Sequence, residues 1–139
     1  MDLIFHTLPN GIRMVHLTTT SDVAYCGLII NAGSRDELIN EHGIAHFIEH
    51  MFFKGTTKRK AYHILSRLED VGGELNAYTT KEETAVYASF MKEHFPRAVE
   101  ILSEIVFSSS FPGNEIEKEK EVVIEEINSY FDNPAEYIF

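Results

Sequence analysis

The order of strand-like and helix-like segments constrains the fold of this chain more than any other feature of its sequence. Leu3 to Thr7 and Ile12 to Leu17 are short apolar segments on either side of a Pro-Asn-Gly turn at residues 9–11. An Asn-Gly turn between two such segments predicts a β-hairpin. Val23 to Asn31 is apolar along most of its length, which predicts a third strand at the centre of a sheet.

Helix-like segments follow in two pairs, with two further strands between the pairs. The periodicity of apolar residues assigns each segment, and Gly, Pro and polar residues separate them. The predicted helices are Glu41 to Phe53, Ala61 to Val71, Phe95 to Ser108 and Glu115 to Phe131, and the strands, predicted to pair, are Glu74 to Thr80 and Thr84 to Met91. This order predicts an α+β fold, with helices packed on one face of a sheet rich in antiparallel strands.

Length and composition predict one soluble domain spanning residues 1–139. The chain is 44% apolar, yet no apolar run approaches the roughly 18 residues that a membrane-spanning helix needs, so we expect no membrane association. The first residues carry no pattern of a secretory signal, which predicts a cytoplasmic protein. Residues 133–139 are typical of a helix start, with Pro134 in its first turn, and suggest an N-terminal fragment of a longer chain.

The acidic charge balance bears on the choice of partner. The chain has 22 acidic and 12 basic residues, a formal net charge of −10. Nucleic-acid binding draws on clustered Lys and Arg, so nucleic acid is not an expected partner, whereas a positively charged peptide would suit this surface. Solubility alone explains most of the charge. Cys26 is the only cysteine, which excludes an internal disulfide and a multi-cysteine zinc site.

The chemistry of the chain is concentrated in His46-Phe47-Ile48-Glu49-His50. Residues four apart lie one above the other on a helix, so His46 and His50 can offer two imidazoles to one metal ion. Glu49 lies on the other side of His46, near enough to act on a water at the metal without being a ligand. This HxxEH spacing supports a zinc ion that activates water and polarises a carbonyl, with Glu49 as general base.

Two solvated histidines on a helix surface are the simpler explanation of the same pattern. Independent placement at this composition gives only about 0.04 matches, so accidental occurrence is uncommon. The apolar residues that are predicted to face the core from the opposite side of this helix are Ile44, Phe47, Ile48, Met51 and Phe52. His42 lies eight residues from His50, a rise of about 12 Å, which is too far to share an ion. We expect His42 to be a capping or surface residue.

A catalytic zinc ion needs a third protein ligand, and the helix predicted at Glu115 to Phe131 offers two. Its predicted buried stripe comprises Ile116, Val123, Ile127 and Tyr130. Glu119 and Glu126 stack two turns apart along the edge of that stripe, where a metal would offset the cost of burying a carboxylate, whereas Glu125 should be solvated. Helix geometry does not choose between Glu119 and Glu126. An ordinary helix with many surface glutamates is the alternative.

These segments together resemble the pitrilysin family of zinc peptidases, which includes insulin-degrading enzyme and the mitochondrial processing peptidase. The matching blocks are Leu8 to Gly11, Ala32 to Arg35, Gly43 to Thr56, Gly72 to Thr79 and Glu119 to Ile127. The resemblance covers essentially the whole chain. It implies a truncated metallohydrolase domain of that family and a zinc-dependent metalloendopeptidase that hydrolyses extended or poorly structured peptides.

By this resemblance Glu126 is the third zinc ligand, and Glu119 is a carboxylate that supports the site electrostatically from behind the ligands. The strand around Asn76 and Ala77 would bind a peptide substrate by adding it to the sheet edge. Without the family, a plain sheet strand is the simpler interpretation of these two residues.

The resemblance departs from the family in length. Family members contain at least two such domains, and the second closes over the substrate. We therefore expect a second homologous domain or subunit, or a homodimer, and little activity from the isolated chain. The alternative function is a non-catalytic family member that acts as a peptide-binding or assembly subunit, but such members usually have eroded zinc motifs. A structural zinc module would need four closed ligands, and only three are evident.

Overall fold

The strands and helices follow one another in the order that the sequence predicts. The structure, a computed structural model, describes the backbone of residues 3–131 and the side chains of residues 3–129, so the predicted helix start at residues 133–139 lies outside it. The strands are β1 (Leu3–Thr7), β2 (Arg13–Leu17), β3 (Val23–Ile30), β4 (Glu74–Thr79) and β5 (Thr84–Met91). The helices are α1 (Ile44–Met51), α2 (Ala61–Glu69), α3 (Phe95–Ser108) and α4 (Gly113–Phe131).

Three antiparallel strands form the main sheet, in the order β3-β5-β4. The predicted pairing of β4 with β5 is confirmed, with Ala77 opposite Val86. The predicted central position of Val23 to Asn31 is wrong for the described strands, because β5 lies in the middle and β3 at an edge. Only alternate residues of β3 point toward the helices, while Tyr25 and Ile29 on its other face are exposed.

Helices α2 and α3 cover one face of this sheet and form the core with it. The core side chains include Ile64 and Leu68 of α2, Ile101, Leu102 and Ile105 of α3, and Val86 and Phe90 of β5. Fully burying one such side chain stabilises the fold by about 1.5–3 kcal/mol. The arrangement confirms the predicted α+β class with helices packed on one face of an antiparallel sheet.

The first two strands form a separate hairpin, as predicted. Gly11 occupies the turn with φ 89°, a left-handed conformation that favours glycine, and the Asn10 side chain accepts a hydrogen bond from the Ile12 N–H. Both strands are exposed along their length. Among the described residues, no helix combines the length and apolar character needed to cross a membrane.

Helix α1 is shorter than the segment predicted from Glu41 to Phe53. It begins at Ile44, because Gly43 before it has φ 88° and takes the backbone out of the helical conformation. At its other end, Met51 and the following Phe52 are buried, as expected for the core-facing side, whereas Ile44 in the first turn is exposed.

Helix α4 packs against α1 and carries its acidic residues toward the predicted metal ligands. The apolar stripe predicted for α4 is less buried than expected. Ile116 and Val123 are half-buried and Ile127 is 48% exposed, while the side chain of Tyr130 lies outside the described residues. The stripe is less buried because α1 is much shorter than α4. The eight residues of α1 face only part of one side of the 19-residue helix α4.

Candidate metal centre

The two histidines of the HxxEH motif project from successive turns of α1 and converge. Their Nε2 atoms lie 3.1 Å apart, and the rings meet edge to face with centroids 4.6 Å apart. Both side chains are partly buried, His50 more than His46. The four-residue spacing therefore brings the two imidazole nitrogens to one point, as the helix periodicity requires.

Glu126 reaches the same point from α4. Its carboxylate oxygens lie 3.4 Å from His50 Nε2 and 3.7 Å from His46 Nε2. The three residues are the group of potential metal ligands found among the described residues, with one ligand atom from each lying within 4.8 Å of the others. Glu125, the neighbouring residue, is exposed, in line with its predicted position.

The distances between the two imidazole nitrogens and the Glu126 carboxylate are close to those of a tetrahedral zinc site. Ligand atoms bound at about 2.0–2.2 Å in tetrahedral geometry lie about 3.3–3.6 Å from one another. The two Nε2 atoms lie 3.1 Å apart, Glu126 Oε2 lies 3.4 Å from His50 Nε2, and Glu126 Oε1 lies 3.7 Å from His46 Nε2, all close to that range. Two imidazoles and one carboxylate would leave the fourth position open, which is the arrangement of catalytic rather than structural zinc sites.

Glu119 lies behind His50 and does not join this trio. Its side chain is 5% exposed, its Oε1 lies 2.9 Å from His50 Nδ1, and its Oε2 lies 2.6 Å from Lys54 Nζ. Burial alone would raise the pKa of Glu119, but hydrogen bonds and charge interactions with Lys54 and His50 outweigh it, so the pKa is lowered. Glu119 is thus an ionised acceptor for the His50 Nδ1–H.

This hydrogen bond fixes which nitrogen of His50 faces the trio. With the proton on Nδ1, the Nε2 of neutral His50 presents a lone pair, and the nearby Glu126 oxygens are also acceptors. Acceptors converging at this distance favour a cation between them. The imidazole nitrogens and the Glu126 carboxylate therefore fit zinc in their chemistry as well as in their distances.

Glu49, the predicted general base, lies on α1 beside His50 and is half-buried. It does not belong to the trio of potential ligand atoms. Within the part of the chain that the structure describes, no hydrogen bond or ion pair involves its carboxylate. A carboxylate without such a partner keeps its oxygen lone pairs free to accept a proton.

The predicted substrate residues lie on β4, which is an edge strand of the described sheet. Asn76 donates from its side chain to Glu74 Oε1, and Ala77 packs its methyl group against the core. β4 also packs close to α1. Because the Ala77 side chain is directed inward, this residue can offer a peptide only its backbone groups.

Two residues of this region were not identified from the sequence. Lys54 follows His50 by one turn, and its position beside Glu119 is set by the packing of α1 against α4. Glu37 caps the start of α1 from a preceding loop. The one signal for Glu37 is the absence of a capping side chain at Gly43. His42 is 75% exposed at its side chain and lies outside the trio, as expected.

The fold and this cluster define a protease-like α+β domain, and comparisons with known proteins specify its family. Residues 13–139 match the insulinase family, peptidase family M16. The chain is 43% identical over 135 residues to a protein of Bacillus subtilis named as an uncharacterized zinc protease, YmxG. It is 41% identical over 138 residues to the β subunit of the mitochondrial-processing peptidase of Caenorhabditis elegans.

Two solved structures agree with this match. A protease from Helicobacter pylori superposes with a TM-score of 0.86 at 28% identity, over 90% of this chain and 30% of its own. The periplasmic protease PqqL from Escherichia coli gives a TM-score of 0.87 at 31% identity, over 95% of this chain and 16% of its own. The chain belongs to the insulinase family of peptidases, as its resemblance to the pitrilysin family implies.

The chain spans only a part of these relatives. It covers 33% of the Bacillus subtilis protein and 30% of the Caenorhabditis elegans subunit, while 96% and 99% of its own length is matched. This coverage is consistent with the expected second domain or subunit.

Proposed function

We propose that this chain is the zinc-binding catalytic part of a metalloendopeptidase that hydrolyses extended or poorly structured peptides. The observation that carries the proposal is the convergence of the His46 and His50 Nε2 atoms with the Glu126 carboxylate, at distances close to those between the ligands of a tetrahedral zinc ion. The names of its relatives, a zinc protease and a processing peptidase subunit, support the same activity.

In this proposal three residues of the chain bind the metal and a fourth transfers protons during peptide hydrolysis. A zinc ion held by His46, His50 and Glu126 would supply Lewis acidity to water and to the scissile carbonyl. Glu49 accepts a proton from the attacking water as the new C–O bond forms. It then passes that proton to the amide nitrogen as the C–N bond breaks, so that the leaving group departs as a neutral amine.

The free edge of β4 supplies the binding surface for the peptide. An extended segment that adds to this edge forms backbone hydrogen bonds, which demand little of the substrate sequence. Asn76 lies on this strand and adds a side-chain amide, and the proximity of β4 to α1 brings the bound backbone toward the histidines. The acidic chain, with a net charge of −10, favours basic peptides as substrates.

The isolated chain is expected to bind zinc but to cleave peptides poorly. It spans about a third of its relatives, so a second homologous domain or subunit would close over the bound peptide. Closure of a site over its substrate excludes water and completes the catalytic groups. Alternatively, a second copy of this chain in a homodimer would take the place of that second domain or subunit.

Metal analysis and peptide turnover test the proposal together. The purified chain should hold one zinc ion, and a strong chelator should remove it. Cleavage of an unstructured peptide should be far slower than with the complete native protein, and chelation should abolish it in both. Absence of zinc binding would contradict the metal site, and turnover by the isolated chain at the rate of the complete protein would contradict the need for a second half.

A non-catalytic assembly subunit is the alternative, and one observation bears on it. Two relatives with 41% identity are each named as the β subunit of the mitochondrial-processing peptidase. A subunit without catalysis has no need of a zinc-ligand trio with a free carboxylate beside it, and this chain retains both. The enzyme is therefore the better supported function.

A further inference from the structure

The start of α1 depends on a carboxylate that comes from outside the helix. Glu37 Oε2 accepts a hydrogen bond from the Gly43 N–H, and Glu37 Oε1 accepts one from the Ala45 N–H, both at 2.9 Å. The Glu37 side chain is only 5% exposed, although its neighbours Asp36 and Leu38 are exposed. One buried carboxylate therefore satisfies two backbone donors at the first turn of the metal-binding helix.

The helix needs this external acceptor because of its own N-cap residue. The first N–H groups of a helix have no partner within it, and a Ser, Thr, Asp or Asn side chain at the N-cap commonly accepts one of them. Here the N-cap is Gly43, which has no side chain to do so. The negative charge of Glu37 also interacts favourably with the positive end of the helix dipole.

The two histidines differ in what else holds them. The His50 ring is fixed by the hydrogen bond of its Nδ1 to buried Glu119. For His46 the structure gives contacts only at Nε2, the metal-facing nitrogen, and none at Nδ1 among the described residues. His46 directly follows Ala45, so its direction depends on the backbone of the first turn, which Glu37 holds.

We propose that Glu37 is a positioning residue for the metal centre, which directs His46 toward zinc by fixing the first turn of α1. The inference rests on the proposed zinc site. The hydrogen bonds from the Ala45 and Gly43 amides hold the pKa of Glu37 below its usual range, so the carboxylate is ionised at neutral pH and can accept from both amides. His42, the other titratable group facing it, is 3.9 Å away and largely exposed.

Substitutions at Glu37 test this role against that of an ordinary stabilising residue. Glu37→Ala removes both acceptors, and Glu37→Gln keeps one acceptor oxygen but loses the charge. Glu41→Gln is the matched control, because Glu41 lies in the same loop and its side chain accepts from Leu38 rather than from α1. We expect zinc affinity to fall about 10-fold in Glu37→Ala, less in Glu37→Gln, and to change little in the control.

A measurement on each histidine separately gives the sharper readout. Nitrogen NMR of the imidazole rings during zinc titration should show weakened zinc-induced shifts at His46 in the Glu37 variants, with the His50 shifts retained. Amide hydrogen exchange at Ala45 should also be faster in the metal-free variants than in the unmodified chain. Folding of each variant is checked by its thermal unfolding.

The possible results separate the two proposals. If the unmodified chain binds no zinc, the metal site itself is wrong and the role of Glu37 falls with it. If the unmodified chain binds zinc and Glu37→Ala binds as tightly as the Glu41→Gln control, only the role of Glu37 is wrong. Equal loss of the zinc-induced shifts at His46 and His50 would also overturn it, because it would indicate a general effect on the fold.

Discussion

The Oε1 atom of Glu119 lies 2.9 Å from Nδ1 of His50, on the side of the ring that faces away from the ligand trio. A carboxylate in this position orients the ring, fixes its tautomer and makes its other nitrogen a stronger ligand. The structure also distinguishes the positions of Glu119 and Glu126, which helix geometry had left equivalent. Glu126 lies beside the two Nε2 atoms and Glu119 lies behind one of them.

Replacing Glu126 should impair metal binding more than replacing any carboxylate behind the ligands. Glu126→Ala removes one of three proposed ligand atoms, so we expect zinc affinity to fall by more than the roughly 10- to 100-fold typical of outer partners. Competition with a chelating dye measures it. Glu125→Ala is the matched control, since Glu125 is adjacent and exposed. A similar loss in both variants would show that the effect is not ligation.

Lys54 should contribute to stability through its ion pair with Glu119. Lys54→Met leaves a buried carboxylate without its cation, and breaking a buried pair costs about 3–5 kcal/mol. Because Lys54 is 29% exposed, we expect a smaller loss, about 1–3 kcal/mol in the free energy of unfolding. Urea unfolding of the metal-free chain measures it. Lys58→Met, at an exposed lysine without an ion pair among the described residues, serves as control.

The double variant Lys54→Met/Glu119→Gln distinguishes the pair from simple packing. It removes the uncompensated charge, so part of the lost stability should return. Additive losses from the two substitutions would contradict an ion pair as the source of the effect.

Glu49 should affect turnover and not metal content. Glu49→Gln retains the size of the side chain but cannot accept a proton, so peptide cleavage by the complete native protein should fall by about 10²–10⁴-fold. Zinc content, measured by elemental analysis, should stay near that of the unmodified protein because Glu49 is not among the ligand trio. Unchanged activity would remove Glu49 from the role of general base.

Stability at acidic pH should depend on Glu100. Hydrogen bonds from Arg67 and Arg59 lower the pKa of Glu100 from 4.5 to about 2. A folded-state pKa below the unfolded one stabilises the fold above about pH 4.5, and this contribution is lost as pH falls toward 2. Since Glu100 is 44% exposed, solvent screening limits the contribution to about 1 kcal/mol.

Glu100→Gln should therefore destabilise the chain at pH 7 and flatten the dependence of stability on pH below 4.5. Urea unfolding at pH 7, 4.5 and 3 measures both effects. The control is Glu121→Gln, at an exposed glutamate that has no ion pair with any described residue. Parallel pH profiles for the unmodified chain and Glu100→Gln would contradict the prediction.

Features that depend on neighbours along the chain followed from the sequence. The hairpin turn at Asn10 and Gly11 needs only local backbone preferences, and the convergence of His46 and His50 needs only the helical repeat. The α+β class followed from the order of such local patterns. The exact start of α1 did not follow from the sequence. Gly43 at the N-cap has a left-handed backbone conformation, and the carboxylate of Glu37 replaces the usual capping side chain.

What the sequence alone determined was which side chains could carry zinc chemistry and on which helices they lie. Only the tertiary structure shows that Glu126 is the carboxylate next to the imidazoles. Its distance from them depends on how α4 packs against α1, and Glu126 lies 76 positions after His50 along the chain. The same holds for the central position of β5 and for the pairing of Lys54 with Glu119. These relationships join distant segments, and no local pattern fixes the register at which two packed elements meet.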